Sequence, residues 1–100
     1  MTFDPVFFRI AVVYIRRALE EYMMIEPGRY RHYKGHDYEV IGVARHSETQ
    51  EPFVVYRALY GERGLWIRPA AMFLETINVD GRLVPRFHRL PIQAAEEERP

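Results

Sequence analysis

From Gly28 to Leu90 the chain repeats one pattern: short runs rich in aromatic and β-branched side chains, separated by clusters of turn-forming residues. Runs this short cannot build helices of useful length, so the pattern restricts this stretch to an antiparallel meander or barrel. The expected strands are Arg29–Tyr33, Tyr38–His46, Phe53–Tyr60, Leu65–Arg68, Leu74–Val79 and Arg82–Leu90. Between them lie the turn Lys34-Gly35-His36-Asp37, the polar loop 47–52 and the glycine-flanked loop 61–64. Pro69 to Phe73 reads as one helical turn, and Asp80-Gly81 is a strong hairpin signal.

Strand alternation assigns faces. Trp66 and Arg68 share one face of their strand, with Leu65 and Ile67 on the other. Val54, Tyr56, Ala58 and Tyr60 oppose Phe53, Val55, Arg57 and Leu59. Both faces of that third strand are largely apolar. It is therefore expected to be central, with the barrel interior on one side and an N-terminal helix on the other.

That helix is expected over residues 5–25. Asp4 is a good N-cap, Pro5 suits the first helical position, and Glu26-Pro27-Gly28 stops the helix. Arg16–Glu20 and Arg17–Glu21 are i,i+4 pairs on its polar side. The apolar face, from Phe7 to Met23, covers more than half the circumference, which suits either intramolecular packing or a homodimer seam. A weakly basic polar face argues against a membrane-surface helix. No signal peptide is legible, and the apolar run from Phe3 to Ile15 is too short to span a bilayer, so a cytoplasmic location is expected.

Charge narrows the function classes. The net charge is zero, with 14 positive and 14 negative residues. Thirteen of the positives are Arg, and Lys34 is the only lysine. Residues 28–90 hold ten positives against seven negatives, a net of +3, so the middle is mildly basic between slightly acidic ends. This is weak for a nucleic-acid binder. The absence of cysteine excludes a disulfide scaffold, a zinc ribbon and a thiol nucleophile. At 100 residues the chain buries only about two thirds of its unfolded surface, which disfavours a deep enclosed site.

Three strings carry a further signal. They are Tyr30-Arg31-His32-Tyr33-Lys34-Gly35, Ala44-Arg45-His46-Ser47-Glu48-Thr49, and Trp66-Ile67-Arg68-Pro69-Ala70-Ala71-Met72-Phe73. In this order and at this spacing they resemble the bacterial domain-of-unknown-function family 1653 over residues 28–73, and on to about His88. The resemblance implies a short SH3-like β domain and brings no established activity. The first 26 residues and the tail fall outside it. The expected organisation is α+β and mainly β. An N-terminal helix (1–27) packs on an SH3-like barrel or meander of five to six strands (28–90), followed by a frayed acidic tail (91–100).

Candidate chemistry gathers in three places. Trp66 with Arg68 can stack a planar ligand and hold an anion. The turn Tyr33-Lys34-Gly35-His36 suits a phosphate. In His46-Ser47-Glu48-Thr49 a carboxylate could orient an imidazole, although such a loop more commonly caps its own backbone. His32, His36, His46, Glu48 and His88 show no recognised metal-ligand spacing, and no cofactor motif is present. The leading expectation is a non-enzymatic binding or adaptor module. Its surface groove would be lined by Tyr33, Lys34, His46, Glu48, Tyr56, Trp66, Arg68 and Phe73, for a peptide, a nucleotide or single-stranded nucleic acid. The alternatives are a small enzyme using His46 and Glu48 with Arg68 as anion clamp, and an assembly protein dimerising through Phe7–Met23.

Overall fold

The computed structural model describes Val6, Arg9, Arg16 and residues 20–92. Those residues form seven antiparallel strands: β1 (Gly28–His32), β2 (Asp37–Arg45), β3 (Pro52–Ala58), β4 (Leu65–Pro69), β5 (Thr76–Val79), β6 (Arg82–Pro85) and β7 (Phe87–Arg89). The one-turn helix Ala70–Phe73 links β4 to β5. Val6, Arg9, Arg16 and residues 20–23 have helical backbone. Most of the expected helix 5–25, including how it packs, and the tail from Gln93 lie outside the described residues.

The main sheet has the order β4-β3-β2-β1-β7, and β5-β6 form a separate two-stranded sheet. Of the expected barrel or meander, the meander is what forms: among the described residues β4 and β7 end the sheet and are not hydrogen-bonded to each other, so no barrel closes. The sheet curls without closing. A bulge between Val40 and Gly42 on β2 increases the local bend, and the extra residue, Ile41, turns outward and is 47% exposed.

The expected strand Arg82–Leu90 is two strands, broken at Arg86. Its N–H donates to Glu75 O (2.8 Å) and its carbonyl accepts from Tyr33 N–H (2.9 Å), so the chain leaves one sheet and enters the other there. The Asp80-Gly81 turn forms as expected. Both residues have positive φ (50° and 83°), as a two-residue type I′ hairpin requires.

The alternation on β3 holds. Val54, Tyr56 and Ala58 are buried, while Phe53, Val55, Arg57 and Leu59 are half-buried. The core sits in the concave face, where Val40, Val54, Ala70 and Phe73 are at most 1% exposed. Tyr30 closes one side, and its hydroxyl donates to Glu26 O (2.9 Å), tying the entering chain to the sheet. Ile25 is buried in the same cluster, with Tyr22 packed against it.

Candidate functional site

The register places Trp66 opposite Tyr56, Arg68 opposite Val54, Tyr56 opposite Val40 and Tyr38 opposite Ala58. Directly opposed residues share a face, so these side chains all lie on the concave side. The short helix contributes Phe73 and β7 contributes Phe87, whose rings stack at 4.3 Å. Across the ladder from Phe87 stands His32, with ring centroids 5.0 Å apart. Tyr38 and Tyr56 meet Phe87 edge-on at 5.7 and 5.8 Å.

Arg68 reaches into this aromatic wall. Its Nε donates to the Tyr56 hydroxyl at 3.3 Å, and its guanidinium carbon lies 5.5 Å from the Phe87 ring centroid. Among the described residues, no carboxylate forms an ion pair with Arg68. Glu48, the acidic residue of the other candidate string, lies in the β2–β3 loop. A half-buried guanidinium oriented by a hydroxyl and a ring face, with no anion beside it, is ready to accept one. Trp66, beside it on the same face, is 59% exposed and leaves its ring available for stacking.

The surroundings of His32 are positive. Burial pushes its pKa down, and Arg68, Arg86, Lys34 and His36 lower it further. Its Nδ1 accepts from Lys34 N–H (3.1 Å), so the neutral ring carries its proton on Nε2. Arg86 is held by Glu75 at 2.8 Å. Tyr38 and Tyr60 share a hydrogen bond of 2.7 Å, and burial together with that bond pushes the Tyr38 hydroxyl pKa well up. His36 stacks on Tyr60 at 4.2 Å and extends the aromatic surface toward the β1–β2 turn.

The sequence-derived candidates divide into three places. Tyr56, Trp66, Arg68 and Phe73 share the concave face. Tyr33 and Lys34 sit at the β1–β2 turn, where Tyr33 packs on His32 (4.6 Å) and Lys34 Nζ lies 5.8 Å from the Tyr33 ring centroid. His46 and Glu48 are in the β2–β3 loop, at the opposite end of β2 from Tyr38. There His46 Nδ1 accepts the backbone N–H groups of Glu48 (3.1 Å) and Thr49 (3.3 Å). His46 packs near Phe53 (6.1 Å), on the convex face. The β2–β3 loop pair does not converge with the other two groups. Among the described residues, no group of three or more His, Cys, Asp or Glu could hold a metal ion.

Sequence reasoning missed His32, Tyr38 and Phe87 as members of the concave face. Alternation from Tyr30 would have placed His32 there. Nothing local to Phe87 announces its position, which depends on β7 returning beside β1.

The family model for the protein of unknown function DUF1653 matches residues 28–89. A crystal structure of a DUF1653 protein from Bordetella bronchiseptica is similar, with 39% sequence identity and a TM-score of 0.62. The match covers 67% of this chain and 88% of that one. No protein of curated function matches. With the strands from Gly28 to Arg89 coinciding with the matched span, this chain belongs to the DUF1653 family.

Proposed function

We propose that this domain is a non-enzymatic binding module whose concave face takes a planar ligand bearing an anionic group, such as a nucleotide. One observation carries the reading: Arg68 is oriented by Tyr56 and Phe87, has no carboxylate partner among the described residues, and lies beside the exposed ring of Trp66. The anion would meet the guanidinium and the planar part would stack on Trp66. The positive surroundings of His32 favour the same ligand sign. The half-closed sheet with its aromatic filling is consistent with an SH3-like module.

The enzyme reading draws less support. His46 spends its Nδ1 on two backbone N–H groups, and Glu48 meets it through the backbone. That is the work of a loop cap.

Trp66 is the only tryptophan, so its fluorescence reports the site directly. Titration with adenosine and uridine monophosphates, a short oligothymidylate and an acidic peptide should change Trp66 emission for at least one nucleotide probe. Arg68→Ala should weaken that binding at least tenfold. No response to any probe at millimolar concentration sinks the reading. An oligonucleotide response that is flat with salt excludes the single-stranded nucleic-acid version.

A further inference from the structure

β4 is an open edge. Leu65, Trp66 and Ile67 are 54%, 59% and 63% exposed, three large apolar side chains in succession. Exposed apolar edge strands are templates for further pairing.

Which backbone groups the edge offers follows from ladder parity. Leu59 N–H donates to Asp37 O (3.0 Å) on the β2 side, whereas Ala58 N–H donates to Gly64 O (3.1 Å) on the β4 side. Antiparallel bonding alternates residue by residue, so even-numbered residues of β3 bond to β4. Through the register, Gly64, Trp66 and Arg68 turn their backbone groups toward β3. Leu65, Ile67 and Pro69 turn theirs outward. Pro69, which has no N–H, stands where none is needed by β3.

We propose that this edge pairs with the same edge of a second copy of the chain, antiparallel about a two-fold axis at Trp66. In this register Leu65 of each copy opposes Ile67 of the other, and all four of their outward N–H groups meet outward carbonyls. Trp66 opposes Trp66 in the closer, non-hydrogen-bonded type of pair. Each exposed apolar side chain of the strand then has an apolar partner. Arg68 opposes Gly64, which leaves it room for the concave face. The segment Leu65-Trp66-Ile67 is thus complementary to itself, as an isologous contact requires. A net charge of zero adds no long-range repulsion between copies. The opposite edge, β7, has only three residues, so pairing closes at two copies rather than running on. The seam shares Trp66 with the proposed ligand face, so sedimentation and Ile67, which points to the other face, separate dimerisation from ligand binding.

The test uses the full chain. Sedimentation from low to high micromolar concentration should show a monomer–dimer equilibrium, with Trp66 emission moving to shorter wavelength as the dimer forms. Ile67→Lys, at an exposed position, should weaken dimerisation at least tenfold with unchanged circular dichroism. The chain has no native cysteine. Mixing Leu65→Cys with Ile67→Cys protein under oxidation should therefore give the mixed disulfide in preference to either self-linked species, because only the 65–67 pair is directly opposed. A chain that stays monomeric throughout overturns the proposal. So does a dimer that Ile67→Lys leaves intact, which would place the seam elsewhere. Protection of the β4 amides only when a foreign strand-forming peptide is added also overturns it and assigns the edge to that peptide class.

Discussion

Arg68 and Phe87 belong to the two strands that end the main sheet, yet the guanidinium carbon lies 5.5 Å from the Phe87 ring centroid. The sheet therefore brings its edges together through side chains rather than through a backbone ladder. Phe87 stacks on Phe73, which is 1% exposed. Phe73→Ala should cost about 3–5 kcal/mol, as truncation of a buried aromatic does. In a domain this small that approaches the whole stability. Urea unfolding of the variant should show little folded baseline, and a loss below 1 kcal/mol would deny Phe73 its central place.

Asp37 binds two arginines from the neighbouring strand. Arg31 Nη2 donates to Oδ2 at 3.0 Å, and Arg29 lies 3.2 Å from the same oxygen. The hydrogen bond from Arg31 is the main reason its carboxyl titrates below the usual range. A depressed carboxylate contributes stability above its unfolded pKa of about 3.9, and that contribution is lost as pH falls through the lower folded value. Asp37→Asn should destabilise by about 1 kcal/mol at pH 7, a modest figure because solvent screens the partly exposed pair. Wild type and variant should converge on acidification below pH 4. A gap that is constant with pH would contradict the pairing.

His32 titrates in the same sense, in a higher pH window. Burial and the neighbouring cations lower its folded pKa, so the unfolded chain binds the proton more readily. Stability is full above the unfolded pKa of about 6.5 and declines as pH drops from there toward the folded value. His32→Gln should remove that part of the decline, measured by denaturant unfolding across pH 5 to 8. A bound anion should raise the His32 pKa, visible in the ring-carbon NMR shifts. An unmoved His32 in the presence of a saturating nucleotide would place the anion away from this face.

His46→Ala should lose the cap on the β2–β3 loop at a cost of about 1 kcal/mol. It should leave ligand titration at Trp66 unchanged, because His46 faces the convex side near Phe53. A tenfold loss of ligand affinity would return His46 to the site.

Much of this architecture is legible in local pattern. The strands on either side of Asp80-Gly81, the helical turn after Pro69 and the shared face of Trp66 and Arg68 all follow from alternation and turn chemistry. The break at Arg86 does not, because it is made by partners far along the chain, Glu75 and Tyr33. The same is true of Phe87, whose neighbours in sequence say nothing of Tyr56. His46 and Glu48 look catalytic in one dimension. The turn that brings them close uses the imidazole to hold its own backbone.

The order of pairing also distributes the entropy cost of closing the sheet unevenly. β1 to β4 pair with their sequence neighbours, so those contacts cost little loop-closure entropy. β7 alone must travel back to β1. The wall that Phe87 supplies to Arg68 and Tyr56 therefore carries the largest loop-closure cost in the sheet. Because Phe87 also stacks on Phe73 in the core, finishing the groove and securing the fold are one event, and a chain clipped before β7 would lose both.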